Sequence, residues 1–415
     1  MRMLEDPHCV PLACARTVKV LQVHWKFGLG GVAKYAVALQ KAARFSQIGI
    51  ESLCILAPQW PTDTETLRSL PHSIIPVSGP TDLSWRASVA AEIYNRKPDL
   101  IMSHGFNAHF VLLMCQLMFK RPIPWICSYH GQYHAPSAMK RLLAPLYNRL
   151  TERILRRYAI GVVTVADRCR CHLLARGVPA ERIEVIHNGV DDRPPVSGAV
   201  RKRKREQWGL PREALVVGLA SRLDPVKGTE FLLDAVSRLH NRYPAITVVV
   251  LGDGVERSAL ARQSFRLGID KKVHFLGRQS DVPDAMGAFD IFALPSLEEY
   301  HSIALLEAMR AGLPIVATNV GGNPESIERE KEGLFVAPRD AAALAAAIER
   351  LVEDPEMAER LGRAARARFL KEFTEQVMVR KTAQWLIGCA EKVQRDGRFS
   401  WLRQVDAPYC LAAAE

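Results

Sequence analysis

The chain is predicted to fold as two α/β domains, each with a parallel β-sheet covered by helices on both faces. Short apolar runs alternate with helical patterns along most of its 415 residues, which is typical of doubly wound, Rossmann-like sheets. The length exceeds the size at which one hydrophobic core normally divides. Prolines and a basic run interrupt the alternation between residues 191 and 209. We therefore predict domains at 17–195 and 196–394, and a tail at 395–415.

The first half contains six apolar runs with strand character. A glycine turn at Gly28–Gly31 follows the first of them and precedes a helical pattern from Val32 to Ala43. The predicted strands are Val18–Val23, Gly49–Leu56, Asp99–Ser103, Pro124–Tyr129, Gly161–Val165 and Ile183–Ile186.

The second half repeats this order more regularly. Helical patterns close it at Ala341–Leu351, Met357–Phe369 and Gln376–Val393. Its predicted strands are Leu215–Ala220, Thr247–Leu251, Val273–Leu276, Asp290–Leu294, Pro314–Ala317 and Leu334–Val336.

Composition restricts the class of protein. The nine cysteines are scattered without a Cys-x-x-Cys pair, which favours reduced thiols over disulfides or a metal site. Since no apolar run reaches the about 20 residues of a membrane-spanning helix and no signal-peptide pattern precedes residue 17, we expect a cytoplasmic protein. The net charge of +12 fits nucleic acid, an anionic membrane or a phosphorylated substrate. The basic run 201–205 is interpreted as the solvated start of a helix.

Charged residues and glycines follow the strands of the second half. Arg222 and Lys227 follow the first strand, Asp253 and Gly254 the second, and Glu299 follows the strand that ends at Leu294. Because the carboxyl ends of parallel strands meet at one edge of a sheet, we expect a polar ligand site there.

A helix beginning behind Ser302 would complete a nucleotide site. Ser302 is a good N-cap, and the free N–H groups of a helix N-terminus bind phosphate. Arg222 and Lys227 would add two cations for a diphosphate. Glu307, in the second turn, could accept both hydroxyls of a ribose. Alternatively, Glu307 only complements the helix dipole, which is worth about 0.3–1 kcal/mol.

The segment from Pro295 to Met309 resembles the E-x7-E signature of retaining glycosyltransferases of family 4, which have the GT-B fold. The order and spacing of further motifs agree with this family from Val18 to Gln394. One departure is that Tyr300-His301-Ser302 follows the first glutamate, where the family has glycine. The other matching motifs are Gly30-Gly31, His104, His130-Gly131, His187 to Asp191, Ser221-Arg222, Lys227-Gly228, Gly252 to Gly254, Phe275 to Gly277, Asp281-Val282, Gly312 to Thr318 and Gly321 to Glu325.

The resemblance implies two Rossmann-like domains that face a central cleft, with a C-terminal helix that crosses back to the first domain. It implies transfer of a hexosyl group from a UDP- or GDP-sugar to a glycan or lipid-linked acceptor, with retention of configuration, in cell-surface polysaccharide or glycolipid biosynthesis. A nucleic-acid partner is not expected.

The resemblance also assigns roles to residues. Glu299, His130, Lys227 and Arg222 are the expected catalytic residues, and His104 and Asn188 are expected on the acceptor side of the cleft. The lone histidine His130 could equally be a core residue on the sequence alone. The expected donor-binding residues are Gly30, Gly31, Arg222, Lys227, Asp253, Gly254, Val282, Glu299, Ser302, Ile303, Ala304 and Glu307.

We expect neither a metal nor a cofactor beyond the nucleotide-sugar. Some transferases hold a metal with Asp-x-Asp, and no two aspartates of this chain have that spacing. His130 and His134 lie four residues apart, but two histidines are a weak indication of zinc.

Other functions remain alternatives. Residues 28–33 fit the dinucleotide fingerprint G-x-G-x-x-A of an NAD-dependent oxidoreductase, but Glu51 lies at the wrong end of the second strand for a ribose ligand. A sugar-nucleotide epimerase or a phosphorylase would share the fold. A non-catalytic nucleotide-binding module would have little need for Lys227, Glu299 and Glu307 together.

The helical pattern from Ser137 to Tyr158 is basic and amphipathic. Such a helix can lie on an anionic membrane, which would make the protein peripheral on the inner face. It can also be an ordinary helix packed on the first sheet, and the sequence leaves both interpretations open.

Overall fold

The computed structural model describes residues 17–25, 27, 31–42, 47–60, 62, 67–68, 71–79, 82–131 and 138–401. The chain forms two compact units and divides after Val163 and again after Val379. The first unit therefore includes the C-terminal segment from Arg380, and the second unit is Thr164–Val379. The domain limits 17–195, 196–394 and 395–415 stay a prediction.

The first sheet has seven strands in the order β3-β2-β1-β4-β5-β6-β7. Its strands are β1 Val18–Trp25, β2 Ile48–Leu56, β3 His72–Pro76, β4 Leu100–His104, β5 Trp125–Tyr129, β6 Gly161–Thr164 and β7 Ile183–Val185. The helices between them are α1 Gly31–Ala42, α2 Trp85–Arg96, α3 Gly105–Phe119, α4 Ala138–Tyr158 and α5 Asp167–Ala175, with a 3₁₀ turn at Ala180–Arg182.

The second sheet has six strands in the order β10-β9-β8-β11-β12-β13. They are β8 Leu215–Ala220, β9 Ile246–Leu251, β10 Val273–Gly277, β11 Ile291–Leu294, β12 Ile315–Thr318 and β13 Leu334–Val336. The helices are α6 Gly198–Gln207, α7 Thr229–Leu239, α8 Arg257–Arg266, α9 Val282–Met286, α10 Ile303–Ala311, α11 Asn323–Ser326, α12 Ala341–Glu353, α13 Pro355–Glu372 and α14 Glu375–Arg395. Further 3₁₀ turns are Pro225–Lys227, Asp270–Lys272 and Gly397–Phe399.

Both faces of the second sheet are covered by apolar layers, as expected for a parallel sheet. Successive residues of β8 point to opposite faces: Val217 and Leu219 join one core cluster, whereas Val216 and Ala220 join the other. Every residue of β9 is buried. This burial explains why the second half of the sequence shows continuous apolar runs.

The predicted fold class is confirmed, with two parallel, Rossmann-like sheets and a C-terminal helix that returns to the first unit. All predicted strands are present, and their ends agree with the prediction to within two residues. The sequence missed β3, an edge strand that ends in Pro76 and in which only Ile75 is buried. In the first unit, Trp385 and Cys389 of α14 lie directly over Gly161.

The basic run 201–205 lies inside α6 and is less solvated than predicted. Lys204 is buried and pairs with Asp281, while Arg201 and Arg205 both pair with Asp290. These cations therefore fasten α6 to the second sheet. None of the helices in the described part of the chain is both long and apolar enough to cross a membrane.

Candidate functional site

The loops after β8, β11 and β12 meet at the carboxyl edge of the second sheet, and glycines allow their close approach. A Cβ on Gly228 would lie 2.2 Å from the backbone oxygen of Pro295, and a Cβ on Gly321 would lie 1.5 Å from that of Glu299. Both glycines have positive φ angles, 60° and 58°. Any side chain there would push the loops apart, so the two glycines fix the spacing of the site.

Lys227 and Glu299 form the charged centre of this edge. The Lys227 Nζ donates to Glu299 Oε1 at 2.7 Å, and the Ser296 hydroxyl donates to the same oxygen at 2.8 Å. The two charged side chains are only 18% and 9% exposed. Lys227 closes the 3₁₀ turn Pro225–Lys227, which sets its direction. The structure thus brings together two of the predicted catalytic residues, 72 positions apart.

Arg222 is placed differently from Lys227. Its side chain is 74% exposed and pairs with Asp224 at 2.6 Å. On the neighbouring loop, Asp253 accepts a hydrogen bond from the Gly254 amide at 2.9 Å. Arg222 and Asp253 therefore lie on the surface of the second unit. The sequence predicted both as donor-binding residues, and that assignment stays a prediction.

The predicted helix behind Glu299 is confirmed as α10. The Ser302 hydroxyl caps it by accepting from the Leu305 amide at 3.3 Å, and Gly312 ends it with a φ of 71°. Glu307 lies in the second turn and is 8% exposed. Ile303 and Ala304 form the first turn and are half-buried, as is Val282 at the start of α9. The sequence predicted this cap because Ser302 stands directly before a segment in which apolar residues recur at helical spacing.

Asn188 contacts the same loop, since its Nδ2 donates to the backbone oxygen of His301 at 3.0 Å. The His301 ring stacks on His187 with centroids 4.8 Å apart. His187 Nε2 in turn lies 2.8 Å from Glu325 Oε2. His187 and Glu325 match family motifs but received no role from the sequence, because only the fold brings them beside His301.

Three histidines lie at the carboxyl edge of the first sheet. His24 of β1 and His104 of β4 are register partners, and their rings stack at 4.8 Å with an interplanar angle of 4°. His130 follows β5, stands 6.2 Å from His104 and bonds to Ser128 Oγ through Nε2 at 2.6 Å. His104 and His130 were predicted as site residues. His24 was missed, since a single histidine within an apolar strand carries no signal of its own.

His24 and His104 of this histidine row are buried, and His130 is half-buried. Burial lowers the pKa of His24 to about 3 and that of His130 to about 4. Burial and the neighbouring histidines lower the pKa of His104 well below its usual value. Within the described part of the chain, His24 Nε2 and both ring nitrogens of His104 are buried without a hydrogen-bond partner.

The structure does not test two of the predictions, namely the placement of Gly30 and His134 and the independence of metals. Gly30 and His134 lie outside the described residues, while Gly31 begins α1. Among the described residues, no three His, Cys, Asp or Glu side chains are grouped so that they could hold a metal. Independence of metals stays a prediction, which an activity assay in chelator must test.

Family models match both halves of the chain. The model for Glycosyltransferase Family 4 matches residues 29–193, and that for Glycosyl transferases group 1 matches residues 200–368.

Curated relatives match about half of the chain. A 2-deoxystreptamine glucosyltransferase of Streptomyces kanamyceticus is 31% identical over 55% of this chain and 60% of its own length. A glycogen synthase of Mycobacterium tuberculosis is 34% identical over 49% of this chain and 47% of its own length. The chain thus spans about half to three fifths of these relatives.

Solved structures match over most of the chain. The Anabaena protein HepE in complex with UDP-glucose is 25% identical, with a TM-score of 0.78 over 89% of this chain and 99% of its own. A glycosyltransferase of Rickettsia africae, 21% identical, shares the fold with a TM-score of 0.75 over 92% of this chain and 100% of its own. With a family 4 domain followed by a group 1 domain on this fold, the chain belongs to the GT-B glycosyltransferases.

Proposed function

We propose that the protein transfers a hexosyl group from a nucleotide-sugar to a glycan or lipid-linked acceptor, with retention of anomeric configuration. The reaction would serve cell-surface polysaccharide or glycolipid synthesis. The observation that carries the proposal is the Lys227–Glu299 pair at the carboxyl edge of the second sheet, in the loop that leads into α10. A buried cation close to a helix N-terminus suits the diphosphate of such a donor.

The donor's parts can be assigned to this geometry. The first-turn N–H groups of α10 and Lys227 would hold the diphosphate, and Glu307 would accept the ribose hydroxyls. Arg222, exposed on its loop, would turn from Asp224 to the phosphates when donor binds. Asp253, Gly254 and Val282 line the neighbouring loops and would contact the rest of the nucleotide.

The chemical step would use the leaving group itself as the base. A bond forms between the acceptor oxygen and the anomeric carbon, the bond from that carbon to the phosphate oxygen breaks, and the acceptor proton passes to the departing phosphate. Negative charge grows on the diphosphate, and fixed donors such as Lys227 stabilise it. His130 would contact the reacting sugar, with His104 beside it, and no side chain needs to act as general base. No metal or further cofactor enters this scheme.

The nucleotide is proposed to be UDP, with GDP as the alternative. The support is HepE, a structural neighbour 25% identical to this chain, which was solved with UDP and with UDP-glucose. The departure Tyr300-His301 lies beside Glu299, so these two residues are proposed to influence the choice of sugar.

A donor panel read by thermal shift tests the proposed function. UDP-, GDP- and ADP-sugars are added separately in the presence of EDTA. A ligand at 100 times its dissociation constant stabilises the folded protein by about 2.7 kcal/mol, which raises Tm by roughly 5–10 °C for a unit of this size. We expect the shift with UDP-glucose, and its loss in Lys227→Ala. A flat response to all three nucleotides, or a response that requires a divalent metal, would contradict the proposal.

The proposed location is the inner face of an anionic membrane, held through α4. Leu142 and Leu146 are 82% and 63% exposed. At 100° per residue, they share one helix face with four exposed arginines in the following turns. The adjacent Leu143 is 43% exposed, whereas Ile154 and Leu155 are buried. The arginines are Arg149, Arg153, Arg156 and Arg157.

This face combines exposed apolar side chains with positive charge, the two features that bind peripheral proteins to anionic membranes. A fully buried leucine contributes roughly 1.5–3 kcal/mol, and each basic residue near an anionic surface contributes about 1 kcal/mol. The test is co-sedimentation with vesicles of phosphatidylcholine alone or with phosphatidylglycerol. We expect binding to the anionic vesicles, weakened at least tenfold by Leu142→Asn with Leu146→Asn. Leu174→Asn, which alters an exposed leucine on α5, serves as the matched control. Equal, negligible binding to both vesicles would exclude a membrane partner.

A further inference from the structure

The loop from Glu299 to Ser302 is held along its backbone by neighbouring loops. Gly322 N donates to the Glu299 oxygen at 3.3 Å, and a Cβ on Gly322 would lie 1.8 Å from the Tyr300 oxygen. Asn188 Nδ2 donates to the His301 oxygen at 3.0 Å. Three consecutive backbone oxygens are thus in contact with other parts of the second unit. The loop ends carry functional groups, namely the Glu299 carboxylate and the Ser302 cap.

The side chain of His301 adds a fourth attachment that points into the protein. Its ring is 5% exposed and lies between His187, at 4.8 Å, and Phe373, at 5.5 Å between centroids. Its Nε2 lies 3.2 Å from the hydroxyl of Ser326, a fully buried residue that ends α11. His301 therefore points away from the donor, although it stands in the chain between Glu299 and Ser302, which the sequence predicted as donor-binding residues.

The contacts continue from His301 to a second helix. His187 bonds to Glu325, and Glu325 also accepts the amides of Asp167 and Arg168 at 2.8 and 3.2 Å, at the start of α5. Although burial acts to raise it, the hydrogen bonds from His187 and from these amides lower the pKa of Glu325, so its carboxylate stays ionised. The ring stack thus joins the donor loop to a fixed carboxylate that caps α5.

If residue 301 served packing alone, a histidine at this position would destabilise the folded protein. His301 Nδ1 is buried and has no hydrogen-bond partner in the described part of the chain. A buried polar atom left in that state destabilises the folded protein. A phenylalanine ring would fill the same space between His187 and Phe373 without this cost. Local costs of this kind are typical of functional sites.

We propose that His301 is a positioning residue: its ring, through Ser326 and the stack on His187, keeps the loop from Glu299 to Ser302 in the conformation that receives the donor. The inference rests on the proposed function and deepens it, because it assigns a role to one of the residues at which this chain departs from the family motif. His301 acts through Glu299 and Ser302 and not by touching the reacting atoms.

The key variant is the double substitution His301→Phe with Ser326→Ala. Replacing both partners of a buried hydrogen bond by apolar groups of similar shape is nearly neutral or stabilising. The double variant also removes the unpaired Nδ1. We therefore expect its Tm to equal or exceed that of the wild type, so that any loss of donor binding cannot arise from poor folding.

Two readouts separate positioning from packing. Hydrogen exchange of the peptide amides from residue 297 to 306, measured without ligand, is expected to be about tenfold faster in the double variant. The dissociation constant for UDP, measured by titration calorimetry, is expected to rise about tenfold, which corresponds to about 1.4 kcal/mol. The single variant Ser326→Ala, which keeps His301, should retain part of the affinity, since the imidazole and its stack on His187 remain.

The matched control is another buried polar pair that also has an unpaired atom. Gln40 Nε2 donates to Ser52 Oγ at 2.6 Å in the first unit, and Gln40 Oε1 has no partner among the described residues. Gln40→Met with Ser52→Ala should leave the UDP affinity unchanged. Wild-type exchange and wild-type UDP affinity in the His301→Phe, Ser326→Ala variant would overturn the inference. Failure of the wild type to bind UDP, GDP and ADP would instead contradict the proposed function, so the two failures are distinguishable.

Discussion

The carboxyl edges of the two sheets satisfy their polar groups in different ways. At the second edge, Lys227 and Ser296 both donate to Glu299 Oε1, at 2.7 and 2.8 Å. At the first edge, His24 and His104 stack as neutral rings, and their buried nitrogens lack partners among the described residues. One edge holds charge in place through internal pairs, whereas the other holds uncharged polar atoms that nothing in the described structure satisfies.

The difference indicates which ligand chemistry suits each edge. Fixed charges that are already oriented stabilise an anion without reorganisation, which fits a diphosphate on the second unit. Neutral imidazoles both donate and accept, which fits the hydroxyls of an uncharged sugar or ordered water on the first. Buried polar atoms are nearly always hydrogen-bonded in native proteins, so we expect the histidine row to gain partners when the site is filled.

The largest effect is expected from breaking the internal pair at the second edge. Lys227→Ala leaves the Glu299 carboxylate buried without its cation, and removing one partner of a buried pair costs about 3–5 kcal/mol. Turnover or donor affinity should fall tenfold or more, as it should in Glu307→Ala. Steady-state kinetics with the donor identified by thermal shift provide the measurement.

Lys331→Ala is the control for this prediction. Lys331 also pairs with a glutamate, Glu328, but its side chain is 62% exposed, and surface pairs contribute about 0–1 kcal/mol. Its rate should remain that of the wild type. Near-normal rates in both Lys227→Ala and Glu307→Ala would show that the charged edge of the second sheet is not the donor site.

A smaller effect is expected when the pH is lowered. It concerns the folding stability contributed by the histidines at the carboxyl edge of the first sheet. Because folding lowers the pKa of His24 from about 6.5 to about 3, the unfolded chain takes up a proton below pH 6.5 that the folded protein refuses. The stability present above pH 6.5 is therefore lost as the pH falls towards 3, at about 1.4 kcal/mol per pH unit. Between pH 6.5 and 5 this amounts to about 2 kcal/mol for His24 alone.

Urea unfolding at several pH values checks this prediction, with fluorescence of Trp25 and Trp125 as the signal. His24→Phe keeps a ring against His104 but removes one titrating group, so the stability of the first unit should depend less steeply on pH. Ile75→Val, on the edge strand β3 of the same unit, removes no titrating group; it is the control and should keep the wild-type slope. An unchanged slope in His24→Phe would mean that the row is hydrated and not buried as described.

The contrast between the edges also explains what the sequence could predict. Strands β8 and β13 were predicted to the residue, because strands buried on both faces form continuous apolar runs. The cap at Ser302 was predictable as well, since capping is local. The Lys227–Glu299 contact was predictable only as a shared sheet edge, because its distance depends on how closely the loops after β8 and β12 approach the loop after β11, at Gly228 and Gly321.

Residues whose role depends on strand register escaped prediction. His24 pairs with His104 only because β1 and β4 are adjacent and aligned in the sheet. The sequence of neither strand determines which strands are neighbours. His301 was recognised as a departure from the family pattern, but its neighbours His187 and Ser326 come from distant segments. The exposure of Arg222 was missed for the same reason, since the sequence places it beside Lys227 without showing which way each side chain turns.

The smallest effect on stability is expected for Arg222→Ala. This variant allows Arg222 to be compared with Lys227, the other cation at the carboxyl edge of the second sheet. The side chain is 74% exposed and pairs only with Asp224 among the ion pairs of the described residues, so its removal should change the unfolding free energy by less than about 0.5 kcal/mol. If Arg222 turns to the diphosphate when donor binds, UDP affinity should nevertheless fall about tenfold. The combination of unchanged Tm without ligand and weaker binding in calorimetry distinguishes it from Lys227→Ala, which should affect both. An Arg222→Ala variant with wild-type UDP affinity would restrict the phosphate site to Lys227 and the first turn of α10.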